Sequence, residues 1–230
     1  MTVGRTVGET VRGALRLLGE LLVAAGLMLG LFAAWLHWGT SPQPTAEQRA
    51  VNEQILRAWQ ARPTPAASGS GSDAARSAQV PGGALALVRI PALGGDWQYP
   101  VYPGVSAGEL AKGLGHYPHT AAPGAVGNFA VAGHRSSDTG FEPLADLPDD
   151  IRPGDAIVVD TPGQEYVYTV DATERTRPGD VAVLDPDQGR RADPARRLLT
   201  VTTCTPRYGS SGRFVVFAHL RSSSARKAGA

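Results

Sequence analysis

The sequence predicts an all-β fold, a single closed or nearly closed barrel of about eight strands, with one membrane-spanning helix before it. Three observations indicate this fold: a long uncharged run near the N-terminus, eight short apolar runs after residue 83 separated by turn residues, and few segments with helical periodicity. The chain has 230 residues, of which 42% are hydrophobic and 19% charged. That composition is typical of a globular protein, and the length suits one core-bearing domain with appendages.

The charge balance and the cysteine count exclude several classes of protein. There are 22 Lys and Arg against 21 Asp and Glu, which gives a net charge of +1 and argues against a nucleic-acid binder with a broad basic face. A single cysteine, Cys204, excludes an internal disulfide and any cysteine-based zinc or iron–sulfur site. The aspartates after His134 lack calcium-loop spacing, so we predict no metal and no cofactor.

Residues 21–38 form an uncharged run of 18 residues, just long enough as a helix to cross a bilayer. Three arginines precede this run, and the next Lys or Arg after it is Arg49. The positive-inside rule then predicts a cytoplasmic segment at 1–16, a transmembrane anchor at 17–38 and an extracellular remainder. A cleaved signal peptide is the alternative, but the run is longer than a usual signal core and no small-x-small site follows it.

We predict that residues 39–83 form an extracellular helical stalk and a flexible linker. Apolar residues recur at helical spacing within 45–61, which indicates a short helix. Residues 62–83 are rich in Pro, Ala, Ser and Gly, a composition typical of a flexible tether. The folded domain is therefore expected at 84–220, and the last residues, 221–230, predict a disordered tail.

The predicted strands are short apolar runs that end at Pro, Gly or charged residues. They lie at 84–90, 97–102, 128–134, 155–161, 165–173, 180–184, 197–204 and 213–220. The fourth and fifth are joined by Pro-Gly-Gln at 162–164, which indicates a hairpin. Helical patterns are confined to 106–113 and 141–147, each one or two turns long.

Three residues with catalytic potential fall at the ends of predicted strands. Cys204 ends one strand and Arg213 begins the next, so a hairpin would bring the thiol and the guanidinium together. A cation beside a thiol favours the thiolate, and its N–H groups can stabilise an oxyanion. His134 ends a third strand, where an imidazole could act as general acid or base. Each residue alone is more often structural, but the coincidence of all three favours a cysteine acyl-transfer site.

These residues lie in motifs that resemble a known family, the sortases. GNFAVAGHR at 127–135 resembles the histidine motif of the family, and RLLTVTTCTPRYGSSGR at 197–213 resembles its Thr-Leu-x-Thr-Cys motif followed by the catalytic arginine. Val201 stands where leucine is usual. Residues 88–128 are similar to class E sortases of high-GC Gram-positive bacteria, and the resemblance extends over 84–220.

The resemblance implies an eight-stranded sortase-like barrel that acts as a membrane-anchored transpeptidase with an extracellular catalytic domain. Its substrates would be secreted proteins with a C-terminal Leu-Ala-x-Thr-Gly-type sorting signal, cleaved between Thr and Gly. The thiolate of Cys204 would attack the Thr carbonyl, Arg213 would hold the oxyanion and His134 would protonate the leaving amine. An amine of a peptidoglycan precursor or cell-wall peptide would then resolve the thioacyl enzyme.

The resemblance also implies two auxiliary residues. Thr203 matches a position whose hydroxyl or backbone assists the oxyanion, although an ordinary strand residue explains it equally well. Tyr117 matches a class E position that selects Ala over Pro in the signal; the alternative is a loop aromatic that packs on the barrel. His116 and His119 flank Tyr117 and are expected to be polar loop residues rather than metal ligands.

Two other functions remain open from the sequence. One is a catalytically silent β domain that binds a partner outside the membrane. The other is a peptidase that uses the same Cys204 and His134 but releases its product to water. Loss of wall display after Cys204→Ala would exclude the first, and a product that contains an added amine would exclude the second.

Overall fold

The computed structural model describes most of the chain in two units that contacts divide at Ser41 and Pro42. The described residues are 3–38, 46–60, 83–191, 193 and 195–226, and the described side chains of the first helix are those of 12–33. The predicted tether therefore lies outside the described residues, except for Gly83. The final residues of the predicted tail, 227–230, lie outside them as well.

The first unit contains helix α1, Val3–Trp38. Its apolar window, Arg12–Ala33, spans 22 residues with a mean hydropathy of 1.9, and none of it is buried against protein. At 1.5 Å per residue such a window is about 33 Å long, which matches the hydrocarbon thickness of a bilayer. The helix overlaps the predicted anchor at 17–38 and is consistent with a single-pass membrane anchor.

The second unit begins with helix α2, Ala46–Gln60, close to the predicted 45–61. Its apolar face packs on the barrel, where Ile55 and Trp59 are buried against Leu87 and Tyr102. The expectation of a stalk separate from the barrel is therefore wrong for this helix. Helical spacing creates an apolar stripe, and burying that stripe is more favourable than leaving it in water.

Eight strands form the barrel. They are β1 Ala86–Arg89, β2 Gln98–Pro103, β3 Leu114–His116, β4 Gly127–Ala132, β5 Ala156–Asp160, β6 Gln164–Thr176, β7 Arg197–Thr205 and β8 Gly212–Ala225. The order around the barrel is β1-β2-β3-β4-β7-β8-β6-β5, and β5 pairs with β1 to close it. Two neighbouring pairs, β2–β3 and β4–β7, are parallel, and the others are antiparallel.

The apolar core fills the inside of the barrel because side chains alternate between the two faces of each strand. Phe129, Val201 and Tyr168 belong to this core and are fully buried. The phenol oxygen of Tyr168 accepts a hydrogen bond from the backbone N–H of Gly124 at 2.9 Å, and burial raises the pKa of Tyr168 to about 12. The predicted all-β barrel is thus confirmed, and it is closed.

Seven of the eight predicted strands are present, but the one at 180–184 is wrong. Val181–Leu184 forms a single 3-10 turn that lies over the outer face of the barrel, so its apolar residues cover strands instead of joining them. The eighth strand is β3, which the sequence pattern missed. It has only three residues, and a Cβ at its central Gly115 would overlap the carbonyl oxygen of Gly104. A short strand with a glycine at its centre has no alternating pattern to detect.

Strand β8 is longer than predicted, so the prediction of a disordered tail from residue 221 is wrong for its first five residues. Its pairing with β6 continues to Ala225, which lies opposite Gln164. Residues 221–225 therefore belong to the barrel, because the long β6 supplies backbone partners that the polar sequence of β8 does not reveal. Among the described residues, two further α-helices are present: α3, Ala107–Leu110, and α4, Leu147–Asp150, which begins where the predicted helix at 141–147 ends.

Candidate active site

Cys204 and Arg213 are direct partners on neighbouring strands. They lie opposite each other in the antiparallel pair β7–β8, and both are partly exposed. Side chains of such partners project to the same face with Cβ atoms about 5 Å apart. Thr203 and Phe214, the next pair, are buried. The thiol and the guanidinium therefore share the outer face of the barrel.

His134 lies beside them at the end of β4. Ala132 of β4 is opposite Thr202 of the parallel β7, and two residues further along are His134 and Cys204. The backbone N–H of Gly133 donates to the carbonyl of Thr202 at 3.2 Å, and the carbonyl of His134 accepts from the N–H of Leu144 at 2.9 Å. Hydrogen bonds on both sides thus fix the backbone that carries the imidazole.

Glycine is required just before the histidine. A Cβ at Gly133 would lie 2.6 Å from a methyl carbon of Leu114 and 2.8 Å from one of Leu144, both fully buried. The close packing of these two leucines leaves no room for a side chain at this position. The Gly-His pair in the motif therefore has a packing reason as well as a chemical one.

The hydrogen bonds around Cys204, His134 and Arg213 leave donors of the guanidinium unused. Among the described residues, no hydrogen bond joins the thiol of Cys204 to the imidazole of His134. Nη1 of Arg213 donates to the carbonyl oxygens of Ser210 at 3.2 Å and Gly212 at 2.9 Å. These bonds leave Nε and Nη2 for a ligand, and catalytic contacts commonly tighten only when substrate binds.

Thr203 is buried and faces the barrel interior. Its hydroxyl donates to the carbonyl oxygen of Gly133 at 2.9 Å, and Gly133 is the residue just before His134. A side chain held in this way does not reach the outer face where Cys204 lies. The geometry supports a role for the hydroxyl in holding the β4–β7 junction, and the predicted oxyanion role stays a prediction.

Tyr117 lies in a groove that leads to Arg213. Its hydroxyl is 3.0 Å from Oγ1 of Thr202, two residues before Cys204. The groove is lined on the barrel side by Tyr117, Thr202, Arg213 and Val215, and on the opposite side by the β6–β7 connection with Pro178, Asp180, Val181, Val183 and Leu184. These residues give the groove both apolar and polar walls beside Arg213, the pairing partner of Cys204.

His116 has structural partners. Its Nε2 lies 3.0 Å from the carbonyl oxygen of Ala121 and 2.9 Å from Oγ1 of Thr120, and its ring packs 5.1 Å from that of Phe129. Burial lowers the pKa of His116, which keeps the imidazole neutral. His119 lies in the following turn with a φ of 67°.

Arg135 is a site residue that the sequence interpretation missed. It is 7% exposed, and its guanidinium donates to the carbonyl of Ala145 at 3.2 Å, to Oγ1 of Thr205 at 3.3 Å and to Asp149 at 3.0 Å. The residue after His134 is thereby tied to the residue after Cys204. The only sequence signal was an arginine next to an apolar strand, which is usually solvated.

Arg207 forms a second link between the two loops of the site. It pairs with Glu142 at 3.1 Å and with Asp146 at 3.4 Å. Burial raises the pKa of Asp146, an effect that the charge of Arg207 opposes. The acidic residues after His134 therefore include partners of arginines. Within the described residues, no group of three or more His, Cys, Asp or Glu side chains is arranged to hold a metal ion.

Comparison with known proteins gives one matching family and several relatives. The family model described as Sortase domain matches residues 88–221. Sortase SrtE1 of Streptomyces coelicolor is 33% identical over 217 residues, 90% of this chain and 57% of that protein. Sortase SrtE2 of the same organism is 30% identical over 226 residues, 94% of this chain and 85% of that protein. The chain thus spans little more than half the length of the first relative.

Solved structures that share the fold include two from Streptomyces. Sortase E from Streptomyces avermitilis superposes with a TM-score of 0.57 at 40% identity, over 64% of this chain and 93% of that one. Sortase E1 from Streptomyces coelicolor with a tripeptide in the active site gives a TM-score of 0.56 at 32% identity, over the same shares.

Proposed function

Because the chain belongs to the sortase family of cysteine transpeptidases, and within it to class E, we propose that it cleaves a C-terminal Leu-Ala-x-Thr-Gly-type sorting signal and transfers the protein to a cell-wall amine. The observation that carries the proposal is the register of three neighbouring strands. Cys204 lies opposite Arg213 in the β7–β8 pairing, and His134 follows Ala132, the last residue of β4 that pairs with β7; this arrangement supports a shared site for the three residues.

In the first half-reaction the thiolate of Cys204 attacks the carbonyl carbon of the Thr residue. The carbonyl oxygen becomes an oxyanion, which accepts hydrogen bonds from the free N–H groups of Arg213. When the tetrahedral intermediate collapses, the C–N bond to Gly breaks and the imidazolium of His134 gives its proton to the leaving amine. The products are a peptide with a free Gly amine and a thioester on Cys204.

In the second half-reaction an amine of a peptidoglycan precursor or cell-wall peptide attacks the thioester. The neutral imidazole of His134 takes the proton from this amine, and Arg213 again holds the oxyanion. Breaking the C–S bond returns the thiolate of Cys204 and leaves a new amide bond. The enzyme is thus restored, because the proton that His134 gave to the leaving Gly amine is replaced by the proton it takes from the attacking amine.

The groove supports recognition of an extended peptide. The hydroxyl of Tyr117 contacts Thr202 on the barrel side of the groove, and this position of the phenol favours the small Ala in the second position of the signal. The apolar side chains of Val181, Val183 and Leu184 suit the Leu at the first position. The tripeptide in the active site of the Streptomyces coelicolor relative is consistent with a peptide substrate.

The proposed partners and location follow from the same assignment. Secreted proteins with a sorting signal are the donors, and nucleic acid is not a partner. Helix α1 anchors the enzyme in the cell membrane, with the arginine-bearing N-terminus in the cytoplasm and the barrel outside. The proposed division keeps 84–220 as the catalytic domain predicted from sequence, with residues 221–225 added as strand.

The decisive experiment is intact-mass spectrometry of the protein with a Leu-Ala-x-Thr-Gly peptide. We expect a covalent adduct with the mass of the peptide up to Thr, located on Cys204 and absent from Cys204→Ala. A scrambled peptide is the control. If the wild-type protein forms no adduct, or if Cys204→Ala forms the same adduct, the proposal is wrong.

A second experiment separates transfer from hydrolysis. With an added amine acceptor, a transpeptidase gives a product that contains the amine, whereas a peptidase gives only the free Thr carboxylate. A binding domain without catalysis retains the peptide unchanged. We expect the amine-containing product to increase with the amine concentration.

A further inference from the structure

The groove wall is defined here as residues 181–188, the part of the β6–β7 connection that runs from the lining residues Val181, Val183 and Leu184 to the buried Gln188. It contains no strand, and its one regular feature is the 3-10 turn Val181–Leu184. Val181, Val183 and Leu184 line the groove, so the position of this backbone sets the distance across it. A long connection that lines a binding groove needs contacts that fix it, because an unrestrained loop samples many conformations.

Three buried polar side chains on the barrel side of the wall supply such contacts. They are Asn128 of β4, Thr200 of β7 and Gln188 of the wall itself, 2%, 0% and 4% exposed. The alternation of the strands places Asn128 and Thr200 on the outer face, because Phe129 and Val201 face the core. We call these three residues the polar latch.

Every hydrogen of the latch amides is used. Nδ2 of Asn128 donates to the carbonyl oxygens of Val183 and Asp185, both at 3.1 Å. Nε2 of Gln188 donates to the carbonyl of Leu199 at 3.0 Å and to Oγ1 of Thr200 at 3.1 Å. The hydroxyl of Thr200 donates to Oδ1 of Asn128 at 2.9 Å, which joins the two amides into one network.

The network lies away from the reacting atoms. Thr200 is four residues before Cys204 on the same face of β7, and Asn128 is six residues before His134. Neither amide has a free donor for a substrate, so the latch acts on the reaction only through the wall. A complete buried network selects one arrangement of the chain, because any other arrangement leaves a buried carbonyl or amide unpaired.

We propose that Asn128, Thr200 and Gln188 are positioning residues that hold the groove wall at the width required by the sorting-signal peptide. The inference rests on the proposed function for the identity of the peptide, but the role of the latch in fixing the wall does not. Its loss weakens peptide binding while the chemistry at Cys204 continues.

The test compares Asn128→Ala with Asn52→Ala. Both asparagines are buried and donate to backbone carbonyls, but Asn52 lies on α2 and its partner is Gln98 of β2, at 2.8 Å. With the full-length protein in detergent and a Leu-Ala-x-Thr-Gly peptide, we expect Asn128→Ala to raise KM about tenfold with a much smaller change in kcat, because two hydrogen bonds to the wall are lost. Asn52→Ala is expected to leave KM unchanged.

Thr200 provides a second pair of variants in case Asn128→Ala does not fold. Thr200→Val removes the hydroxyl that joins the two amides, and we expect it to raise KM. Thr200→Ser keeps the hydroxyl and is expected to restore the affinity that Val loses. Equal KM values for the wild type, Asn128→Ala and Thr200→Val would overturn the proposal, as would a loss confined to kcat.

Hydrogen exchange on the free proteins distinguishes failure of this proposal from failure of the proposed function. We expect amides of residues 181–188 to exchange faster in Asn128→Ala than in the wild type, and not in Asn52→Ala. Unchanged exchange would show that the latch does not fix the wall. If the wild type does not react with the peptide at all, the proposed function fails while the exchange comparison still decides the role of the latch.

Discussion

Only one of the three nitrogens of the Arg213 guanidinium donates hydrogen bonds to its own loop. Nη1 is bonded to the carbonyls of Ser210 and Gly212, which orients the planar group and leaves Nε and Nη2 for an oxyanion. A lysine at this position keeps the charge but has one nitrogen on a flexible stem, so it cannot hold the loop and bind the oxyanion in the same geometry.

We therefore predict that Arg213→Lys loses about a hundredfold or more in kcat, the usual effect of removing one oxyanion donor. The measurement is steady-state cleavage of a sorting-signal peptide, with circular dichroism to verify the fold. Turnover close to that of the wild type would mean that Arg213 supplies only charge.

The second residue-scale prediction concerns His134. The proposed reaction needs a thiolate on Cys204 and a proton on His134 at the same time, so kcat/KM should show a bell-shaped dependence on pH with two apparent ionisations that belong to the pair. We expect His134→Gln to lose the limb governed by the imidazole and most of the rate, because glutamine cannot carry the proton that the leaving amine needs.

His116→Gln is the matched control for this experiment. Its imidazole is occupied by Thr120 and Ala121, and burial lowers its pKa, so the neutral form persists and cannot donate a proton to a leaving amine. We expect the bell to survive in His116→Gln. A bell that persists in His134→Gln instead would assign the acid to another group.

Helix α2 is held on the barrel by the residues of its apolar face. Trp59 is 3% exposed and packs with Leu87 and Tyr102, while the guanidinium of Arg226 lies 5.0 Å from its ring. No described residue accepts a hydrogen bond from the indole N–H. The ring of Trp59 thus contributes by packing rather than by polar contacts.

We predict that Trp59→Ala lowers the free energy of unfolding by about 3 kcal/mol, because it removes a large buried ring. Trp59→Phe keeps an aromatic ring but lacks the five-membered part of the indole, so it should cost less than Trp59→Ala. Chemical denaturation of both variants measures the difference. Equal losses would show that the part of the indole missing from phenylalanine carries the packing.

The elements differ in how well the sequence predicts them, and the reason is the range of the contacts that form each one. Strands β7 and β8 contain apolar runs separated by a short loop, so the pairing of Cys204 with Arg213 was predictable from local pattern. The run at Val181–Leu184 is equally apolar, but it forms a 3-10 turn without a buried residue, and its place beside the outer face of the barrel depends on distant strands. The links made by Arg135 depend on residues 10 to 70 positions away, which no local pattern encodes.

At the scale of the whole molecule, the site exists only because the barrel closes in one order. The parallel pairing of β4 with β7 ends two residues before His134 and Cys204, and the antiparallel pairing of β7 with β8 sets Arg213 opposite Cys204. A shift of one residue in either pairing would turn these side chains into the core. The barrel thus fixes the geometry of the site, and the arginine links between loops refine it.

The last prediction concerns which parts of the chain this geometry needs. A protein that lacks residues 1–44 loses α1 but keeps α2, whose apolar face lies on β1 and β2. We expect it to be soluble and to cleave the sorting-signal peptide with a kcat/KM close to that of the full-length protein, because the site is built within the barrel.

A protein that lacks residues 1–60 also loses α2, which exposes Leu87 and Tyr102 to water, and we expect a lower melting temperature and a tendency to aggregate. Thermal denaturation by circular dichroism and peptide cleavage, measured on both truncations, test the two statements together. A 1–44 deletion that is folded yet inactive would show that the anchor contributes to the site. A 1–60 deletion as stable as the longer protein would show that α2 is dispensable for the fold despite its buried face.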